Sequence, residues 1–371
     1  MRITDLIHKN LSIWATLMAL VFCLFTRIGD AQQLPPSVPD IDVERWRSGK
    51  DYAEAAHEWQ LREATFPMSS ADYLNWFKAI YFGEKYFSDF KREQNNLLSQ
   101  EQVLKKMGEK FASTYEYAYA SYLFKGKTSD GFDDLKTAMN LNPSAIEILD
   151  DAVLMNYAMN DMQAAQRSAI LLANARNVSD SRLDYSFNVL SSVEQNGVLI
   201  TQGCSDSYPL IMIQLLNGYR SDVQIIPLDY LELDAFKGGI SNTLGVQVST
   251  KNPTMSICSN SNRSVYLACS IHTATLKKFS TKLYCTGLAF KYSETEILNI
   301  PTMLYAWNQL FKKENINTSE PHNRNYLPML VQLANYYKAT GDTGNSSLFQ
   351  QRALEIANTF GIRKTIQNQL H

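Results

Sequence analysis

Cys204, Ser205, Asp206 and Ser207 stand where this 371-residue sequence has the best opportunity for chemistry. A short β-rich run, Val198–Thr201, precedes them, and an apolar helical run over residues 208–216 follows. The four residues therefore occupy the point where a strand ends and a helix begins. Open α/β sheets bind ligands at that edge, and the free N–H groups of a helix N-terminus attract anions. One chemical reading is a site for a small anion or a sugar. Another is a nucleophilic Cys204 whose thiolate is favoured by the helix end. The structural alternative makes Asp206 or Ser207 the helix cap, with Cys204 buried or in a disulfide. This structural alternative is preferred.

His272 follows a strand and could pair with Cys204, but a lone histidine there reads as a strand-end hydrogen-bonding residue. His322, in the turn Glu320-Pro321-His322, reads as solvated loop. Asp133-Asp134 and Asp150-Asp151 lie on helices, where adjacent residues point to different faces. They read as solvent-facing charge. Neither G-x-G-x-x-G nor G-x-x-x-x-G-K follows the strand, and G-x-S-x-G is absent, so no nucleotide cofactor and no nucleophile elbow are expected. The expectation is a protein that is not an enzyme and carries no cofactor.

Export sets the redox setting. Arg2, His8 and Lys9 precede an apolar run from residue 11 to 25, shorter than the roughly 20 residues that span a bilayer. Gly29-Asp30-Ala31 then offers a small-residue cleavage site, so residues 1–31 read as a signal peptide. Of five cysteines, Cys23 falls inside that segment. Cys204, Cys258, Cys269 and Cys285 remain, and an oxidising compartment permits one or two disulfides among them, with three connectivities open. Their spacing fits no zinc pattern, so no metal is expected. A net charge of −2 gives no electrostatic footprint for nucleic acid.

The elements that must hold the 204–207 loop are of two kinds. Helical spacing runs through residues 51–63, 71–87 and 100–124. From Ala112 the pattern resembles a tetratricopeptide repeat of about 34 residues. Tyr115 and Tyr122 stand at the large first-helix positions, and Leu135, Ala138 and Pro143 at second-helix and terminal positions. One period later Asn160-Asp161 makes the turn, and Ala165 takes the close-packing place. The pattern returns at residues 326–340 and 346–357, joined by Gly341-Asp342, with Ala353 at the small position. Between the two arrays lies an α/β region. Val198–Thr201, residues 223–228 and 265–271 read as strands. Residues 283–292 read as another, bent or ended at Gly287, and 237–262 as a polar loop with room for one irregular strand. The expected fold is thus tetratricopeptide-like helical repeats flanking a small α/β domain. Its boundaries are 32–190 for the first repeats, 191–295 for the α/β domain and 296–371 for the closing repeats.

Residues 197–228 resemble the segment I-L-x-T-x-G-D-N-D-[ST]-[YF]-P-L-x-x-x-Q-x-x-x-G-x-R-x-D-V-x-V-[VI]-x-L. It occurs in the soluble C-terminal region of bacterial multi-span membrane proteins related to transmembrane protein O-mannosyltransferases. Thr201, Gly203, Asp206, Ser207, Tyr208, Pro209, Leu210, Gln214, Gly218, Arg220, Asp222 and Val223 agree with it. Val265-Tyr266, Gly287-Leu288-Ala289 with Tyr292, Arg324-Asn325 and Gly341-Asp342 match later landmarks, so the likeness covers roughly residues 190–358. Two departures reduce what it implies. The multi-span portion that would carry glycosyl transfer has no counterpart, and helical repeats stand in its place. The G-D-N-D loop reads Gly203-Cys204-Ser205-Asp206 and lacks the first carboxylate and the amide.

The functional expectation is an exported, non-enzymatic scaffold of a bacterial periplasm or outer envelope. Its helical groove, with Tyr115 and Tyr122, would hold a protein or peptide partner. The alternative, implied by the resemblance, is an accessory subunit of envelope glycosylation or surface-protein assembly, partnered by a multi-span membrane protein. A small-ligand site at Cys204, Ser205, Asp206 and Ser207 is the third reading.

Overall fold

Ser48 and Ser69 each open a helix through a reciprocal capping box, with Asp51 and Asp72 at the third helical position. The helices are α1 (Gly49–Thr65) and α2 (Ser70–Tyr86). They face each other through Tyr52, Trp59, Trp76 and Phe77, all buried. The computed structural model describes residues 48–92, 96–175, 178–279, 281–316 and 319–370. The expected signal peptide, with Cys23, lies outside them. Among the described residues no helix is long and apolar enough to cross a membrane.

The helix pair α1–α2 belongs to one compact unit, residues 46–99, and residues 100–371 form another. The second begins with α3 (Gln100–Phe111), α4 (Tyr115–Lys125), α5 (Ser129–Leu141), α6 (Leu149–Ala158), α7 (Met162–Asn174) and α8 (Asp180–Ser191). Thr114 breaks the 100–124 run by capping α4. The expected packing positions hold: Leu135, Ala138 and Ala165 are fully buried. Asn160 takes the left-handed conformation (φ 59°), and Asp161 caps α7 by accepting from the Ala164 N–H at 2.9 Å.

The α/β part follows as β1 (Val198–Thr201), α9 (Cys204–Asn217), β2 (Gln224–Pro227), α10 (Asp234–Leu244), α11 (Pro253–Asn260), β3 (Val265–Ala268), α12 (Thr273–Leu276), β4 (Leu283–Cys285) and β5 (Ala289–Tyr292). The sheet order is β2-β1-β3-β5-β4. Strands β2, β1 and β3 are parallel, with Val198 opposite both Gln224 and Val265, and β5 is antiparallel to β3 and β4. Every residue of β1 and β3 is buried, as parallel strands covered on both faces require.

Two expectations need correction. Residues 237–262 are not a loop; they carry most of α10 and all of α11. Phe236, Ile240 and Leu244 recur every fourth residue on one buried face, while Ser, Asn and Thr cover the other. Gly245, in the left-handed conformation, ends α10, and Pro253 opens α11. Residues 283–292 make two strands, because Gly287 turns the chain at φ 146°. A Cβ there would lie 2.4 Å from the Ser192 Oγ, so only glycine permits this approach.

The chain closes with α13 (Ile300–Tyr305), which runs into a π-helical turn, Ala306–Leu310. A 3₁₀ segment, Pro321–Tyr326, leads into α14 (Leu327–Ala339), α15 (Thr343–Thr359) and α16 (Arg363–Gln367). Asp342 caps α15, and Ala353 is fully buried against its partner helix. Asn188 of α8, fully buried, joins this closing part. Its amide donates to the Lys312 carbonyl (2.7 Å) and the Tyr326 hydroxyl (2.8 Å), and its oxygen accepts from the Lys312 N–H (2.8 Å).

Arg220 joins α8 to the sheet. Its guanidinium donates to the carbonyls of Leu190 (2.8 Å), Val193 (2.6 Å) and Glu194 (2.8 Å) and forks onto Asp222 at 3.0 Å through two nitrogens. Its own backbone is left-handed (φ 53°), an unusual state for an arginine. Gln214 of α9 holds that turn by donating to the carbonyls of Arg220 (2.7 Å) and Val223 (2.9 Å). Gln214, Gly218, Arg220 and Asp222 are therefore structural members of the quoted segment.

Arg220→Ala should lower the unfolding free energy by about 3 kcal/mol, read by urea denaturation, because the carbonyls of Leu190, Val193 and Glu194 lose a charged donor. A loss below about 1 kcal/mol would remove the clamp from its place in the fold. The Arg220 hydrogen bonds hold the Asp222 carboxyl at about 2, below the usual 3.8. Because the folded value is the lower one, this stabilisation is complete above the usual value and disappears as pH falls through about 2. Asp222→Asn should flatten that part of the Tm–pH curve.

Candidate functional site

The strand order 2-1-3 sends the crossovers from β1 to opposite sides, so the crevice for a ligand lies between the ends of β1 and β3. The loops there meet directly: the His272 N–H donates to Gln202 Oε1 at 2.9 Å. Helix α9 begins at Cys204 with Gly203 as its cap residue and no capping side chain. Neither Asp206 nor Ser207 caps it, because both already lie in its first turns. Ser207 bonds back to the Gly203 carbonyl (2.6 Å) and to the Thr201 hydroxyl (2.7 Å), within its own turn.

Asp206 faces the crevice and finds its partners within the protein. Burial raises its pKa above the usual carboxylate value, opposed by the Ser270 hydroxyl bond, the Arg182 charge, the Gln202 backbone and the Arg324 charge. Arg182 of α8 also donates to the Ser205 carbonyl at 3.2 Å. Tyr185, one turn along, is buried and accepts from the Asn325 amide at 2.9 Å. Burial and then the Asp206 charge push its hydroxyl pKa up. His322 is not solvated loop. It is buried, its ring stands 4.9 Å from Tyr185, and its Nε2 lies 3.1 Å from Ser181 Oγ. The crevice is filled by side chains from the flanking helices.

Cys204 turns the other way, toward the end of β2. Its thiol donates to Asp150 Oδ2 at 3.8 Å. Burial pushes the thiol pKa up, as do the Asp151 and Asp150 carboxylates, against a smaller opposing effect of Lys127. A thiolate is therefore disfavoured, which argues against nucleophilic use. No hydrogen bond joins Cys204 to His272 among the described residues; His272 is exposed. Asp150 and Asp151 are not solvent-facing charge. They occupy the first turn of α6, where side chains surround the helix end, and both act on Cys204 and Tyr230. Asp134 is likewise engaged, accepting from Ser121 Oγ at 2.7 Å and Lys125 Nζ at 2.6 Å.

Asp229 and Tyr230 follow β2 and complete this side. Asp229 pairs with Lys127 from the α4–α5 turn, and the Lys127 ammonium stands 4.5 Å from the Tyr230 ring centre. Gly203 permits the approach, since a Cβ there would lie 3.1 Å from Asp229 Oδ2. Tyr122 belongs here and not to an open groove. It is 3 % exposed, and burial, with Asp151, Tyr230 and Cys204 around it, raises its pKa. Tyr115, Tyr119 and Tyr122 stack in a column with centroids 6.0 and 6.3 Å apart, and the Tyr115 hydroxyl donates to Glu147 Oε1 at 2.6 Å. The groove expectation for Tyr122 is overturned by this packing.

All four described cysteines are free thiols. The Cys285 thiol donates to the Gly287 carbonyl at 3.3 Å, and burial, then the neighbouring Cys285 thiol, raises the Cys269 pKa. Cys258 is pushed up to about 12 by burial. Among the described residues no group of three or more His, Cys, Asp or Glu could hold a metal ion.

Residues 182–329 match the family model of the TMEM260-associated domain 2. The matched stretch runs from Arg182 through the whole sheet to Met329, and so includes the Arg220 clamp and the filled crevice. The TMEM260-associated match agrees with the likeness to proteins related to O-mannosyltransferases. No curated protein matches the chain.

Oxidised glutathione should join Cys269 to Cys285 and leave Cys204 and Cys258 alkylatable, as read by peptide mapping without reduction. A bridge involving Cys204 or Cys258 would contradict the arrangement at the β4–β5 turn.

Proposed function

We propose that the protein is an exported, non-enzymatic scaffold of the bacterial envelope, built of tetratricopeptide-type hairpins around an α/β domain, that holds a protein partner. One observation carries this reading. The crevice where such sheets bind substrates is occupied by Arg182, Tyr185 and the Arg324–Asn325 pair of the protein itself. The edge thus serves as a joint between the α/β domain and its flanking helices. The raised Cys204 thiol points the same way.

The partner surface is the cleft of about 390 Å³ between the α6–α7 turn, α9 and α10. Tyr157, Met162, Ile211, Leu215, Phe236 and Ile240 line it, and Met162 is 42 % exposed at its rim. Helices of both kinds contribute, so the cleft exists only while repeats and α/β domain stay joined. A second reading, an accessory subunit of envelope glycosylation or surface-protein assembly, is favoured by the match over residues 182–329. Its partner would be a multi-span membrane protein.

The tagged full chain, purified in mild detergent, should bring down a multi-span membrane protein identified by mass spectrometry. Met162→Glu should abolish that recovery while leaving the far-ultraviolet spectrum unchanged. A solitary monomer, or equal recovery with Met162→Glu, would overturn the assignment.

A further inference from the structure

Helix α10 carries two glycines in its middle, Gly238 and Gly239. Only proline forms helix less readily than glycine, so each weakens α10 relative to alanine. Neither takes a left-handed φ, and a Cβ added at either would meet nothing within 4 Å. The fold itself therefore makes no use of their small size. Gly238 stays outside the cleft between the α6–α7 turn, α9 and α10, whereas Gly239 lines it. Phe236, Ile240 and Thr243 line it from the same helical face, at the spacing of one and two turns. At Gly239 bare backbone is thus offered to whatever enters the cleft.

The polar chemistry of the cleft is one-sided. No Asp, Glu, Lys, Arg or His lines it, so a charged occupant would find no opposite charge there. Its inner side chains direct their donors into the protein. The Gln214 amide donates to the Arg220 and Val223 carbonyls. The Gln224 amide donates to the Tyr157 hydroxyl (2.9 Å) and the Ile225 carbonyl (3.3 Å), and Tyr157 donates to that carbonyl at 3.1 Å. Ser221 and Thr243 donate to the Gly218 (3.0 Å) and Gly239 (2.9 Å) carbonyls. Among the lining side chains, only Asn160 at the exposed rim keeps uncommitted donors. The amide oxygens of Gln214 and Gln224 accept from no described residue, and neither is enclosed. The interior of the cleft thus presents open acceptors between apolar walls.

A complementary occupant is uncharged, has a flat apolar face that can lie on the Gly239 backbone, and carries an N–H or O–H donor at its edge. The side chains of tryptophan and tyrosine combine these properties. We propose that the cleft takes an aromatic side chain with a donor, a tryptophan or tyrosine presented by the protein partner. Its ring lies on Gly239 beside Phe236, and its donor meets the amide oxygen of Gln214 or Gln224. The volume of about 390 Å³ admits the ring together with part of the chain that presents it. This inference rests on the reading of the cleft as the partner surface and adds the residue type that the partner brings.

Ligand-observed NMR titration of the full chain with N-acetyl-tryptophanamide and N-acetyl-tyrosinamide tests it. N-acetyl-phenylalaninamide, N-acetyl-argininamide and methyl α-glucoside are the controls. Saturable binding of a donor-bearing aromatic is expected, with the phenylalanine amide about threefold or more weaker for want of the donor. The arginine amide and the glucoside should not bind. Gly239→Ala should weaken the aromatic about tenfold, because the added methyl takes space the ring needs, while Tm holds or rises. Gly238→Ala should affect Tm alike and leave binding unchanged, so a loss confined to position 239 reports on the cleft and not on the helix. Absence of saturable binding, equal binding of the phenylalanine amide, or binding of the arginine amide or glucoside instead would overturn the inference. So would unchanged affinity or a lowered Tm in Gly239→Ala. The partner recovery described above separates the two readings. Recovery that Met162→Glu abolishes, with no aromatic preference in the titration, overturns this inference alone. Aromatic binding without recovery of any partner overturns the partner reading alone.

Discussion

The parallel sheet depends on the Arg220 guanidinium. A helix such as α8 ends with carbonyls that lack intrahelical donors, and a buried helix end needs them supplied. Arg220, from a turn between α9 and β2, supplies a charged donor to Leu190 in the last turn of α8 and to Val193 and Glu194 in the turn that follows, and Asp222 neutralises it. The Asn196 N–H also binds Asp222, at 2.7 Å, so entry into β1 and entry into β2 are fixed by one ion pair. The left-handed backbone at Arg220 is tolerated because this network and Gln214 over-determine it. Partial replacement, by lysine for example, would keep the charge and lose the fork.

With the helices locked onto the sheet, the strand ends become interior. That changes what an active-site-like loop can do. The β1–α9 loop has the location of a ligand site, but the helices before and after it bring arginines and tyrosines against it. Fold position alone would have suggested substrate binding; the occupants of the crevice argue otherwise. On the β2 side, the Tyr230 hydroxyl and Asp229 Oδ1 are buried without hydrogen-bond partners.

Much of the architecture was legible in the sequence. Val198–Thr201 was readable because β-rich residues stand between turn formers, and the Asn160-Asp161 and Gly341-Asp342 turns because their residues suit left-handed and capping positions. Helix α10 was hidden by Gly238, Gly239 and its polar residues, which masked three apolar positions one turn apart. The site was far less legible. Adjacent residues face different sides in the middle of a helix, but in the first turn of α6 Asp150 and Asp151 both act on Cys204 and Tyr230. His322 and Tyr122 are buried by residues distant in the chain; the His322 partner Ser181 is 141 positions away. Lys127 and Asp229, 102 positions apart, carry no local pattern that would pair them.

Asn188 has a consequence for the order of events during folding. Among the described residues its amide is satisfied by Lys312 and Tyr326, the former 124 positions downstream. Until that late segment arrives, α8 must keep a polar group hydrated that the finished molecule encloses. The upstream hairpins can nucleate from neighbours in sequence, whereas their final member must wait for the tail. Such non-local closure slows folding. It also makes the last step a cooperative zipping of both ends of the unit about the sheet, and leaves the waiting intermediate a natural client for a holding chaperone.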